Sequence, residues 1–146
     1  MEDIISYLCK FEIRPDVIDK ITKAIDICKD NFNIKIGDIF LSEYVDVDDK
    51  KFIYEDLFII SEDIIIKLGN LNSLNFYNLA GYPNKIFSWN IDSENFDFNN
   101  KGHCLSKLFI HLQLYNGLTI CLKASKDNCD KLKSIFVNYL LPNVVK

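Results

Sequence analysis

Lys107-Leu108-Phe109-Ile110-His111-Leu112-Gln113-Leu114, then Tyr115-Asn116-Gly117, then Leu118-Thr119-Ile120-Cys121-Leu122-Lys123-Ala124 is the stretch whose reading decides the fold. Its side chains alternate with period two. Leu108, Ile110, Leu112 and Leu114 therefore share one face of a strand, and Leu118, Ile120, Leu122 and Ala124 one face of the next. A two-residue turn on Asn116-Gly117 would pair Tyr115 with Leu118 and set Gln113 and His111 beside apolar partners, and a slip of one residue carries every side chain across the sheet. A three-residue loop, Tyr115-Asn116-Gly117, instead sets Leu112 beside Ile120 and Ile110 beside Leu122, with Gly117 in the left-handed conformation as the bulge residue. A hairpin in that register is the expectation.

A helix is predicted to follow over residues 125–141, with Ser125 as N-cap, Asp127 in the first turn and Pro142 as the stop. Cys129, Leu132, Ile135, Phe136, Tyr139 and Leu140 form its apolar stripe, wide enough to lie on the Leu/Ile face of the hairpin.

Upstream, Ile4, Ile5, Leu8 and Phe11 have helical spacing over residues 2–11. After a break at Arg14-Pro15, a second helix is predicted from Pro15 to about Asn31, with Val17, Ile18, Ile21, Ala24, Ile25 and Cys28 on one face. From residue 33 the pattern changes to short strands: 34–36, 39–41, 52–60, 63–67, 75–80, 85–91 and a short piece at 96–98. Turns are expected around Ser61-Glu62, at Gly69-Asn70, in the loop Gly81-Tyr82-Pro83-Asn84 and at Asn99-Asn100-Lys101-Gly102. An acidic loop, Glu43-Tyr44-Val45-Asp46-Val47-Asp48-Asp49, lies between the second and third of these strands. Helices and strands do not alternate, which excludes a Rossmann-type parallel sheet. The expected fold class is α+β in a single domain of 1–146: a helical extension over 1–32, antiparallel strands over 33–124 and a closing helix over 125–141.

The chain has 146 residues, 49% of them hydrophobic and 26% charged, as a globular domain does. No apolar run reaches the ~20 residues of a transmembrane helix, and Met1-Glu2-Asp3 is acidic where a signal peptide is basic. Five cysteines (Cys9, Cys28, Cys104, Cys121 and Cys129) form an odd set without a CxxC pair, which reads as reduced thiols. The expected location is cytoplasmic. The net charge of −4 conceals an asymmetry: residues 1–66 carry 16 acids against 8 bases, and residues 67–146 carry 5 acids against 9 bases. The acidic half disfavours nucleic acid as a partner and favours a basic protein, although the same charge also serves solubility.

Motifs for chemistry are missing. There is no GxxxxGK[ST], GxGxxG or GxSxG. His103-Cys104 is poor chelating geometry, so no metal is expected. Asp46-Val47-Asp48-Asp49 opens like a calcium loop but has Lys51 at the sixth position, which needs Gly, and Leu57 at the twelfth, which needs Glu. A Cys-His pair drawn from Cys104 or Cys121 with His103 or His111 has no supporting motif, and His111 is expected on the outer face of its strand. Glu55-Asp56 and Glu62-Asp63 are adjacent pairs whose members point to opposite faces. The aromatic set Tyr82, Phe87, Trp89, Phe96 and Phe98 is read as core first and as an interface anchor second. The expectation is a protein that is not an enzyme and needs no cofactor.

The strand half also resembles the bacterial pleckstrin-homology-like domains. Glu55-Asp56-Leu57-Phe58-Ile59-Ile60-Ser61-Glu62-Asp63-Ile64-Ile65-Ile66 looks like that family's first hairpin, followed by Tyr82-Pro83-Asn84-Lys85-Ile86-Phe87-Ser88-Trp89, then Leu108 to Ala124 and the closing helix. The resemblance covers about residues 37–141. It implies two nearly orthogonal antiparallel sheets, a barrel or sandwich of six to seven strands, one end plugged by the last helix, and binding without catalysis. Members often carry a base in the first hairpin's turn, where this chain has Glu62-Asp63, and residues 1–32 lie outside the resemblance.

The functional expectation is a protein-binding module, in its sharper form an immunity or antitoxin-type protein that neutralises a basic toxin. Glu43, Tyr44, Asp46, Asp48 and Asp49 are the candidate partner-binding residues, because acidic surface speeds encounter with a basic partner. The alternative is a lipid- or membrane-associating domain using Lys67, Lys85, Lys101 and Lys107, which are scattered along the chain.

Overall fold

The computed structural model describes residues 3–45, 51–73, 78–94 and 107–145. Among them are three helices and seven strands in two antiparallel sheets. Helices α1 (Ile4–Leu8) and α2 (Pro15–Asp30) come first. Strands β1 (Asp38–Val45), β2 (Phe52–Ile60), β3 (Ile64–Gly69) and β4 (Asn78–Pro83) form the first sheet in sequence order. Strands β5 (Ile86–Glu94), β6 (Lys107–Leu114) and β7 (Thr119–Ser125) form the second. Helix α3 (Asn128–Ile135) follows and runs on through a π turn (Phe136–Leu140) and a 3-10 turn (Leu141–Asn143).

The β6–β7 hairpin has the expected register. Leu112 pairs with Ile120 and Ile110 with Leu122, Leu114 N–H donates to Leu118 O at 2.8 Å, and Gly117 has φ 89°. Leu118 lies across from Leu114, on the expected face, but is exposed beside the turn. The α3 stripe of Cys129, Leu132, Ile135, Phe136 and Leu140 is buried with the hairpin in a core that also takes Phe40, Phe58, Ile60 and Ile65 from the first sheet.

The first sheet is apolar on both faces, as its near-continuous runs require. Phe40 pairs with Phe58 toward that shared core, while Ile39 with Ile59 and Leu41 with Leu57 face the other way. There they meet Val17, Ile21, Ala24, Ile25 and Cys28 of α2, with Tyr7 and Leu8 of α1. The helical extension is thus a cover for the sheet's outer surface.

Several expectations need correction. Residues 34–36 form no strand: Asn33 turns the chain at φ 53°, and Ile34 N–H returns to Cys28 O at 2.9 Å. Glu43, Tyr44 and Val45 continue β1 instead of opening a loop, because they pair with Tyr54, Ile53 and Phe52 after a register shift between Leu41 and Glu43. Gly81, Tyr82 and Pro83 end β4, where Pro83 is tolerated on an edge strand. Ser125 is not a helix cap. It closes β7, Lys126 turns at φ 50°, and Asp127 precedes the helix. Pro142 does not stop the helical path, since the 3-10 turn accommodates it in its first turn. The expected strand at 96–98 and turn at 99–102 lie outside the described residues.

Candidate functional site

Glu43, expected to meet a partner, is 1% exposed. Its carboxylate points at β7, where no backbone ladder with β1 is formed, and takes the place of one. Ser42 Oγ accepts from Lys123 N–H at 3.0 Å and Glu43 Oε1 from Ser125 N–H at 2.8 Å. Ser125 Oγ donates to Glu43 Oε2 at 2.5 Å and Asn128 Nδ2 to Oε1 at 3.1 Å. Asn128 also donates to Leu41 O at 3.0 Å and accepts from the Tyr7 hydroxyl at 2.7 Å, while that hydroxyl accepts from Leu41 N–H at 2.9 Å. Burial pushes the Tyr7 hydroxyl's pKa far up, so it stays protonated as a donor. The network ties α1, β1, β7 and α3 together, and a carboxylate committed to it cannot meet another protein. Tyr44 is half-buried, with the Lys123 ammonium 5.0 Å from its ring centre. Asp46, Asp48 and Asp49 lie outside the described residues.

Two surfaces stand out elsewhere. The first is β5, a nine-residue edge strand. Trp89 pairs with Leu112 and Ile91 with Ile110, so both lie on the core-facing side, yet Trp89 is 44% and Ile91 39% exposed. Between β4 and β5 no ladder closes among the described residues. Trp89 makes a T-shaped contact with Phe136, ring centres 5.3 Å apart. Phe87, at a register shift, is exposed and packs against Tyr115 at 5.9 Å. Phe87 and Trp89 are thus surface residues, against the core-first reading, and Phe96 and Phe98 lie outside the described residues. On the outer edge of β5, among the described residues, the C-terminal segment reaches only the first position: Val144 bridges Ile86, and Val145 N–H donates to Ile86 O at 2.9 Å.

The second is a pocket of about 750 Å³ between the 33–37 linker, the β2–β3 turn, the end of β4 and Tyr139. Gly37 is required there, since a Cβ would meet Tyr139 Cε1 at 2.5 Å and Ile60 O at 2.8 Å. Behind the turn, buried Asn84 donates through Nδ2 to Ser61 O at 2.9 Å and Tyr139 O at 3.0 Å. A smaller pocket of about 370 Å³ lies between α1 and the start of α3.

Of the residues considered for chemistry, the register brings one pair together. Cys121 sits opposite His111 in the register, and His111 Nε2 lies 3.0 Å from Asp92 Oδ2 on the outer face of the second sheet, where His111 was expected. Burial raises the Cys121 pKa and keeps the thiol protonated, the wrong state for a nucleophile. Cys129 is pushed up to about 11 by burial and by nearby Glu43. His103 and Cys104 lie outside the described residues, and among the described residues no three His, Cys, Asp or Glu side chains gather to hold a metal. No helix among them is long and apolar enough to cross a membrane. Compared with protein-family models, curated proteins and solved structures, the chain matches none, so the site rests on its own geometry.

Proposed function

We propose that the protein is a non-catalytic protein-binding module that uses the β5 side of its second sheet, most specifically an immunity or antitoxin-type protein that neutralises a basic partner. The observation that carries the reading is the β5 edge: a long edge strand with Trp89 and Ile91 uncovered on its core-facing side. An edge of this length offers backbone groups for strand addition, and uncovered apolar side chains beside it supply anchors. Asp92, exposed on the outer face of the same strand beside His111, is in keeping with a basic partner. The order of four strands, three strands and a closing helix is compatible with a pleckstrin-homology-like barrel or sandwich. Of the lysines of the lipid alternative, Lys67 is 3.7 Å from Asp56, and Lys101 lies outside the described residues.

Tagged protein from the native host's soluble lysate, at low and high salt, tests the reading, with Ile91→Lys beside it and Asp26→Lys on the exposed face of α2 as control. The expected result is one basic protein, captured in a salt-sensitive manner, lost with Ile91→Lys and retained with Asp26→Lys, whose toxicity co-expression suppresses. Undiminished capture by Ile91→Lys would reject the β5 surface. Sedimentation with phosphatidylserine vesicles in place of protein capture would move the assignment to lipid.

A further inference from the structure

We infer that the pocket beside the β2–β3 turn receives a short segment of the partner in which an arginine or lysine is flanked by apolar side chains. The inference rests on the protein-binding reading above and names the chemistry of a second contact.

The walls are apolar and aromatic, from Ile34, Ile36, Ile64, Pro83, Tyr82 and Tyr139. A volume of about 750 Å³ is too large for one side chain and suits two or three residues. Glu62 and Asp63 line the same pocket, both exposed, and neither has an ion pair among the described residues. Lys35 is the one base of the lining, so acids outnumber bases two to one. Carboxylates beside tyrosine rings favour a cation with an apolar stem, which can lie against the rings while its charge reaches the acids. Anionic ligands meet the opposite balance.

The pocket and the β5 surface flank the same C-terminal segment. Tyr139 lines the pocket while Phe136, one turn earlier, packs on Trp89. Asn143 Nδ2 donates to Glu62 O at 2.6 Å, and two residues later Val145 holds Ile86. The C-terminal segment therefore separates the two surfaces, and a partner lying over it meets both.

The test is an amide-resolved NMR titration of the full chain with acetyl-Val-Arg-Val-amide and with its citrulline isostere, which keeps shape and loses charge. The arginine peptide is expected to give saturable shifts at residues 33–37, 61–64, 81–83 and 139, with roughly tenfold tighter binding than the citrulline peptide. The double variant Glu62→Gln, Asp63→Asn is expected to remove that difference, and Lys35→Gln to strengthen arginine binding by about threefold. All three positions are exposed, and the turn's Ser61–Ile64 backbone bond does not involve their side chains. Equal binding of both peptides, or shifts elsewhere, would overturn the inference. So would a captured partner whose affinity the double variant leaves unchanged, while the β5 reading stood. Charge-dependent peptide binding with no effect of Ile91→Lys on capture would leave the pocket in place and remove the β5 reading.

Discussion

Replacing Glu43 separates a buried structural carboxylate from a surface acid. The side chain is 1% exposed and accepts three hydrogen bonds, from Ser125 N–H, Ser125 Oγ and Asn128 Nδ2. In Glu43→Leu the Asn128 amide keeps Leu41 O, and the Ser125 hydroxyl rotates toward another acceptor. The Ser125 N–H has no such freedom. A buried donor left unpaired costs about 1–3 kcal/mol, and the charge-assisted bonds lost with it bring the total to about 2–4 kcal/mol, after credit for no longer burying a charge. Glu43→Gln keeps one carbonyl oxygen for Ser125 N–H and Asn128, and its amide can donate to the Ser125 hydroxyl, so it costs about 1 kcal/mol. Urea unfolding reads the difference. With a slope of about 1–3 kcal/mol per M, Glu43→Leu lowers the midpoint by roughly 1–2 M and Glu43→Gln by less than half of that, at unchanged slope. Amide exchange at Ser125 speeds up in the leucine variant. A leucine variant as stable as the parent chain would refute the buried network and return Glu43 to the surface.

Two further predictions follow from buried titratable groups. Among the described cysteines, iodoacetamide at about pH 8 is expected to label exposed Cys9 first and half-buried Cys121 more slowly, and to reach Cys28 and Cys129 only on unfolding, because burial raises the pKa of Cys28, Cys121 and Cys129 and withholds access; early native-state labelling of Cys129, read by mass spectrometry, contradicts its placement. Asp56 is raised above the ordinary value of 3.8 by burial, against the pull of Lys67. The folded state then holds the Asp56 proton to higher pH than the unfolded state does, so this group's contribution falls as pH rises from about 4 through the folded value. Asp56→Asn removes that decline and leaves stability at pH 7 no lower than the parent's, apart from the small worth of a half-exposed pair with Lys67. An identical pH dependence of the urea midpoint in both proteins would sink the argument.

The hairpin was legible because period two and a Gly at a left-handed position admit one register only, and α2 because its apolar face and Pro15 mark both stripe and start. Glu43 was not legible. Its neighbours Tyr44, Val45 and Asp46 read as the beginning of an acidic loop, and nothing local says that β1 will border β7 without a ladder. The need for an acceptor exists only once β7's unpaired Lys123 and Ser125 N–H groups arrive some 80 residues later in sequence. Tyr44-Val45 carried a usable signal, since an aromatic and a β-branched residue extend a strand more readily than they open a loop. The exposure of Trp89 was hidden for a related reason. Alternation assigns a side chain to a face, and whether that face is covered depends on where the other sheet ends.

That coverage also bears on the partner surface proposed above. Runs such as Ile39-Phe40-Leu41 and Leu57-Phe58-Ile59-Ile60 make the first sheet apolar on both sides, and an uncovered outer face would be an aggregation surface. Helices α1 and α2 occupy it, and the Tyr7–Asn128–Glu43 network fastens α1 to β1, β7 and α3. The second sheet's outer face is largely polar: Gln113, His111, Thr119 and Lys123 line it beside half-buried Phe109 and Cys121, with Lys123 held by Glu55 at 2.7 Å and lying 5.8 Å from the Phe109 ring centre. Apolar surface remains at the β5 side, where Trp89 and Ile91 are exposed and Trp89 packs on Phe136, and Val137 and Leu141 are exposed in the segment that carries Phe136. On the reading proposed above, binding falls to the open β5 side, so substitutions in α2 are expected to act on stability and substitutions on β5 on partner affinity.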